Sequence, residues 1–85
     1  MKLASKFASL AFKARKEQGY TQSEVAEAIS VSVRWYQKVE SGRKLPGTVT
    51  ALRILIFLKI DIGELREEVG LIDPVRSVRR SLLFK

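Results

Sequence analysis

The chain has 85 residues, contains neither cysteine nor histidine, and carries 16 Lys and Arg against 9 Asp and Glu, for a formal net charge of +7. This length allows one small domain, and the absence of cysteine and histidine excludes disulfides, thiol or imidazole metal sites and histidine bases. Since the carboxylates and lysines form no catalytic pattern, we expect no enzyme, metal or cofactor. The positive charge indicates an anionic partner, such as nucleic acid, although anionic lipid or an acidic protein would also satisfy it.

Apolar residues at helical spacing predict a first helix of about four turns at the amino end. They are Leu3, Phe7, Leu10, Ala11 and Ala14. Gly19 is expected to close this helix in the left-handed conformation. Phe12 departs from the pattern and indicates a second packing surface. The segment lacks the long apolar core and the small-residue cleavage site of a secretory signal.

The next segment, residues 21–29, is predicted to be a short helix with a strong start signal. Thr21 followed by Glu24 forms a capping box, in which each side chain satisfies a backbone amide of the other residue. Val25, Ala26 and Ile29 fall on one face of the helix. A helix of about two turns is not stable alone in water, so this one must pack against the rest of the chain.

A second short helix follows across a tight turn at residues 30–32. Ser32 is its predicted N-cap, and Gly42 lies where a helix commonly ends. The side predicted to face the core holds Ser32, Tyr36, Val39 and Glu40. The opposite side carries cationic and amide donors and holds Arg34, Gln37, Lys38 and Ser41. Val33 lies at the exposed amino end of this helix, and Trp35 lies on its flank.

An irregular basic loop at 43–47 leads into the most apolar part of the chain. Residues 48–60 are apolar on nearly all sides, which is unusual for a helix of a small domain. We expect this helix to form the core and also to expose a part that a second subunit covers, with Ile56 and Phe57 as candidate contacts. Its apolar run, Ile54 to Leu58, is far shorter than the ~20 residues that span a bilayer.

Residues 62–69 favour a fifth helix that ends at Gly70. Beyond it, Asp73 and Pro74 mark the start of one more short amphipathic helix with a basic side. The same tail is alternatively a flexible basic extension or a linker to the rest of a longer protein. We therefore divide the chain into one domain at 1–70 and a basic C-terminal tail or short helix at 71–85.

Several short motifs occur at a distinctive spacing between residues 7 and 66. They are Arg15, Gly19-Tyr20-Thr21-Gln22, Glu24-Val25-Ala26, Ile29-Ser30-Val31-Ser32, Val39-Glu40-Ser41-Gly42, Arg43-Lys44, Pro46 and Asp61-Ile62-Gly63-Glu64-Leu65. Together they resemble the lambda-repressor/Cro-like helix-turn-helix proteins, often called XRE-type regulators. The resemblance implies an all-α fold, namely a compact five-helix lambda-repressor-like DNA-binding domain.

The resemblance also implies which residues contact DNA. Those implied to read bases are Ser32, Val33, Arg34, Gln37 and Lys38. Those implied to bind phosphates are Thr21, Gln22, Trp35, Ser41, Arg43 and Lys44. Arg34 is the best candidate for reading a base, because a guanidinium can bond O6 and N7 of guanine together. Gln22 lies at a helix amino end, where free amides favour an anion.

Some positions depart from the family pattern or leave alternatives open. Ser30 takes the turn position that is normally glycine, so it must adopt a left-handed or nearby conformation at some cost. Tyr36 replaces a smaller core residue, and its hydroxyl needs a partner. Trp35 either packs between the helices or touches the DNA backbone. Arg15 and Glu40 match the family's positions for an ion pair, which we expect to fix the tilt of the second motif helix.

These features predict a sequence-specific double-stranded DNA-binding transcriptional regulator. It would read the major groove with the helix at about 32–41, as a homodimer on a pseudo-palindromic operator. The alternatives are an antitoxin or protein-interaction module of the same fold, the amino-terminal domain of a longer ligand-sensing regulator, and a peripheral membrane binder. We expect a cytoplasmic, nucleoid-associated protein with DNA and a second copy as partners, a further protein partner left open, and no membrane association.

Overall fold

Five helices account for most of residues 2–70, the part of the chain that the computed structural model describes. In chain order they are α1 (Lys2–Gln18), α2 (Gln22–Ala28), α3 (Val33–Glu40), α4 (Thr48–Phe57) and α5 (Arg66–Val69), with a 3₁₀ turn at Ile62–Leu65 leading directly into α5. No strand occurs within residues 2–70. The predicted all-α, five-helix fold is confirmed, whereas the helix or extension predicted at 71–85 lies outside the described residues.

The starts of α2 and α3 follow the capping signals in the sequence. At α2 the capping box is complete: Thr21 Oγ1 accepts from the Glu24 amide at 3.1 Å, and the Thr21 amide donates to Glu24 Oε1 at 2.8 Å. At α3, Ser32 Oγ accepts from the Trp35 amide at 3.1 Å. Each cap satisfies an amide that the first turn of a helix cannot bond internally. Both predicted caps are confirmed.

Helices α1 to α4 end in a common way, with a left-handed residue that lets the next amides bond back to the last turn. At the ends of α1 and α3 this residue is Gly19 and Gly42, as predicted. At the ends of α2 and α4 it is Ser30, with φ 61°, and Lys59, with φ 57°. A side chain in this conformation costs roughly 1 kcal/mol relative to glycine. The strain at Ser30 was predicted, but the strain at Lys59 was not.

The core lies where the first four helices meet. Its largest fully buried side chains are Val25, Tyr36, Val39, Ile54 and Leu58. The buried residues of α1 are Ala4, Phe7, Ala8, Ala11 and Arg15, whereas the predicted core residues Leu3, Leu10 and Ala14 are only half-buried. The buried face is therefore rotated from the predicted one, because small alanines allow close packing of α1 with α3 and because Arg15 turns inward.

Helix α4 is buried on only one of its sides. Ile54 and Leu55 face the core, and Leu58 just beyond the helix does the same. Its exposed large apolar side chains are Val49 (64 %), Leu52 (42 %) and Ile56 (75 %). None of the helices within residues 2–70 is long and apolar enough to cross a membrane.

Candidate nucleic-acid interface

Helices α2 and α3 pack against each other across a tight turn and form a helix-turn-helix. Ser30 takes the left-handed conformation in this turn, and the Val31 amide donates to Ala26 O at 2.9 Å. The turn is thus kept with serine in the position expected for glycine. Because both helices bury one side in the core, their relative orientation is fixed by packing as well as by the turn.

The side of α3 that faces away from the core carries the donors predicted from the sequence. Tyr36 and Val39 have no accessible surface, so they anchor the helix from behind. All five residues expected to read bases are exposed, and they are Ser32, Val33, Arg34, Gln37 and Lys38. A ligand can therefore reach their side chains without any change in the core.

Ser32 is the exception to the predicted division of α3 into two sides. The sequence pattern grouped it with the inward residues, but the structure exposes it. The reason is that its side chain turns back to cap the helix instead of entering the core. Val33, the first residue of α3, keeps 38 % of its surface exposed, as expected for the amino end.

The side chain of Gln22 connects the outer and inner sides of α3. Its Nε2 donates to Glu40 Oε1 at 3.2 Å, and its Oε1 accepts from Gln37 Nε2 at 3.2 Å. The three side chains form a row of hydrogen bonds from an exposed amide to a nearly buried carboxylate. The sequence assigned separate DNA contacts to Gln22 and Gln37 and missed their mutual bond, since no local spacing rule links residues 15 positions apart in different helices.

Glu40 is held from the other side by Arg15 of α1. Arg15 Nε donates to Glu40 Oε2 at 2.6 Å, and Arg15 Nη2 donates to Oε1 at 2.9 Å. Arg15 Nη1 also donates to the Tyr20 carbonyl at 3.0 Å. The expected ion pair is present, and only 9 % and 3 % of the two side chains is exposed. A planar guanidinium that bonds both carboxylate oxygens fixes direction as well as distance.

The pair and the neighbouring Tyr36 titrate far from neutral pH. Burial alone would raise the pKa of Glu40, but the interactions with Arg15, Tyr36 and Gln22 outweigh it and lower the pKa. The hydrogen bond to Glu40 raises the pKa of Arg15. Burial raises the pKa of Tyr36 well above its usual range. Its hydroxyl lies beside Glu40 without completing a hydrogen bond of standard geometry, so the predicted need for a partner is met only in part.

The loop after α3 presents two of the expected phosphate contacts. Arg43 and Lys44 are both exposed, and Lys44 Nζ lies 6.0 Å from the centre of the Trp35 ring. Trp35 is half-buried and packs on the core, which is one of the two roles that the sequence left open. Lys44 lies over the face of this ring, where an indole attracts a cation.

The hydroxyls of the two smaller phosphate candidates take part in helix capping. Thr21 accepts from the Glu24 amide at the start of α2, and Ser41 Oγ donates to Lys38 O at 2.9 Å at the end of α3. Both residues are exposed. A Ser41 hydroxyl that donates to the helix is not free to donate to a phosphate at the same time, so its capping bond must be exchanged for such a contact.

The two residues expected at a dimer interface differ in their surroundings. Ile56 is 75 % exposed. Phe57 is half-buried, and its ring centre lies 5.0 Å from that of Tyr20. Phe57 therefore packs mainly within the subunit, whereas Ile56 offers free apolar surface. Val49, two turns earlier on the same side of α4, adds to that surface.

Comparisons with known proteins agree with this geometry. A model of the HTH_3 family, described as helix-turn-helix, matches residues 12–65. The "ImmF control region 10 kDa protein" of Bacillus phage phi105 is 38 % identical over 52 residues, which are 61 % of this chain and 58 % of the phage protein. The chain thus spans less than two thirds of that relative. No solved structure matches the chain. Because the family match covers more than half of its residues, this protein belongs to the HTH_3 helix-turn-helix family, and this membership supports a DNA-binding regulator.

Proposed function

We propose that this protein is a transcriptional regulator that binds a specific sequence of double-stranded DNA with α3 in the major groove. The observation that carries the proposal is the arrangement of α3, which exposes Arg34, Gln37 and Lys38 on one side and anchors the other side in the core. An α-helix fits the major groove, where each base pair presents its own pattern of donors and acceptors. A guanidinium suits guanine and a side-chain amide suits adenine, so Arg34 and Gln37 have complementary reading capacity.

Phosphate contacts supply most of the affinity in this proposal. Arg43 and Lys44 are exposed directly after α3, where they would bind the DNA backbone beside the groove. Gln22 lies at the start of α2 and is already bonded to Gln37, so a phosphate contact at Gln22 would also position a base-reading side chain. Binding should weaken steeply with salt, because each neutralised phosphate releases counterions.

A homodimer on a pseudo-palindromic operator is the proposed assembly. Two α3 helices would enter successive major grooves about 34 Å apart. The exposed Val49 and Ile56 of α4 support a second copy as the occupant of this surface, since apolar groups gain free energy when they leave water. The control-region name of the phage relative supports a regulatory role.

A second candidate is a protein-interaction module, such as an antitoxin, whose partner covers the same side of α4. The exposed Val49 and Ile56 favour it as much as they favour a homodimer. DNA binding by α3 is compatible with both.

The deciding experiment is selection of bound sequences from a random pool of double-stranded DNA with the full chain. We expect enrichment of one motif, built from two inverted half-sites. A single half-site without symmetry would contradict the homodimer and leave the DNA-reading role intact. Recovery of unselected sequences at low and high salt alike would contradict the proposed function.

A further inference from the structure

An apolar groove of about 580 Å³ lies between α1, α4 and the 3₁₀ turn that leads into α5. The proposed DNA-binding function uses none of its main apolar walls. These walls include Phe7, Leu45, Leu52, Leu55, Ile62 and Val69. Ile62 and Val69 are 60 % and 54 % exposed, so the groove is open on the side formed by the 3₁₀ turn and α5.

This groove is separate from the surface that we assign to a second copy. Helix α4 lines it with Thr48, Ala51, Leu52 and Leu55, which follow the spacing of a single helix face. Val49 and Ile56 do not line the groove, and at 100° per residue they fall on a neighbouring side of the helix. One occupant of the groove and another of the Val49–Ile56 side are therefore compatible.

We propose that the groove is the docking site of residues 71–85 of the same chain, which enter it with their apolar side chains. The chain leaves α5 at Gly70, immediately after the groove residue Val69. Gly70 is left-handed, with φ 88°, and after such a helix end the following apolar residue commonly packs back on the last turn. In this chain that residue is Leu71, followed by Ile72.

The charges of the two parts are complementary. Arg66 is the charged residue that lines the groove, whereas acidic residues are its neighbours along the sequence, in or next to the 3₁₀ turn and α5. They are Asp61, Glu64, Glu67 and Glu68. The tail has one acidic residue, Asp73, and its basic residues are Arg76, Arg79, Arg80 and Lys85. A segment that is both apolar and basic therefore suits an apolar groove in a part of the chain whose charge is acidic on balance.

Docking within one chain is favoured over docking between chains because the tail is already attached at the edge of the groove. A short tether gives an effective concentration in the millimolar range, above that of any second copy in dilute solution. The apolar tail residues Leu71, Ile72 and Val75 lie nearest the attachment point. A docked tail would remove both its own apolar side chains and those of the groove from water.

The test uses the absence of cysteine from the 85-residue chain, which allows a single spin label at Ser77→Cys. We expect amide resonances of Leu52, Ile62 and Val69 to broaden most, and those of Val33 and Arg34 least. A control label at Ser23→Cys, on exposed α2, should not broaden the groove resonances preferentially. Groove resonances that are unaffected by the Ser77 label would overturn the proposal.

A sample of mixed isotope labelling distinguishes docking of the tail within one chain from docking between two copies. Spin-labelled chains without ¹⁵N are mixed with unlabelled ¹⁵N chains, so only contacts between chains produce broadening. We expect no broadening of groove resonances in this mixture. Broadening there, equal to that in the uniformly labelled sample, would assign the groove to the tail of another copy and overturn docking within one chain.

Two matched substitutions give an independent measurement. Ile62→Ser changes a groove residue and Ile56→Ser changes a residue outside it, and both are exposed within the described domain. If the tail covers the groove, Ile62→Ser lowers the melting temperature of the full chain by several degrees at a concentration where the protein is monomeric. Ile56→Ser then has little effect. Equal, small effects of both substitutions would contradict a covered groove.

Discussion

Arg15 of α1 and Glu40, the last residue of α3, are joined by two hydrogen bonds of 2.6 and 2.9 Å with almost no exposure to solvent. Glu40 also accepts a hydrogen bond from Gln22 of α2. The carboxylate thus links three helices at the base of the candidate recognition helix. Its position suits a role in setting the tilt of α3 relative to the core.

Replacing Arg15 by methionine should lower the free energy of unfolding by about 3 kcal/mol, because it leaves the Glu40 carboxylate buried without its main partner. Lys13→Met, on the exposed side of α1, is the matched control and should change stability by less than about 0.5 kcal/mol. Urea denaturation of both variants measures the difference. A urea denaturation curve for Arg15→Met that equals that of the natural protein would show that the pair does not stabilise the fold.

The same pair makes stability depend on pH at the acidic end. The folded-state pKa of Glu40 lies below its ordinary value of 4.5. The stabilising contribution is therefore complete above about pH 4.5 and is lost as the pH falls through the folded-state pKa. The stability difference between the natural protein and Glu40→Gln should accordingly be largest near neutral pH and shrink in acid.

Thermal unfolding across this pH range measures that difference. Glu27→Gln, on the exposed side of α2, serves as control and should stay close to the natural protein throughout. A stability gap for Glu40→Gln that remains constant down to about pH 2 would contradict a titrating role for this carboxylate.

The parts of the fold that the sequence predicted are those governed by residues close together in the chain. The capping box at Thr21, the cap at Ser32 and the helix end at Gly42 each depend on bonds that span a few residues, and all three are present. The family resemblance adds longer-range information at the Arg15–Glu40 pair, which no local pattern contains.

The features that the sequence missed depend on packing between distant segments. The bond between Gln22 and Gln37 exists because two helices meet at a particular angle. Phe57 packs against the ring of Tyr20, whereas its neighbour Ile56 is exposed. Lys59 is left-handed at the end of α4, where the Ile60 amide donates to Leu55 O at 2.8 Å. Periodicity predicts which helix faces are apolar but not which partner each face meets.

Replacing Ser30 by glycine should raise the free energy of unfolding by up to about 1 kcal/mol, because it removes the side chain from a left-handed position. The greater entropy that glycine gives to the unfolded chain reduces this gain. The same substitution at Ser9, which is exposed in the middle of α1, should lower stability by about 0.5 kcal/mol. Chemical denaturation of the two variants measures these changes in stability, which should have opposite signs. A loss of stability in Ser30→Gly would show that the serine side chain makes a compensating contact.

Arg34 and Lys44 should affect DNA binding in different ways, because we assign one to bases and the other to phosphates. Arg34→Ala should weaken binding to the selected operator by about 1 to 3 kcal/mol and relax the preference at one base pair, with little effect on random DNA. Lys44→Ala should weaken both DNAs alike and reduce the salt dependence by about one counterion. Titrations of both variants against operator and random duplexes at several salt concentrations separate these effects. Equal losses on both DNAs for both variants would contradict the division, because a base contact cannot stabilise a duplex that lacks its base.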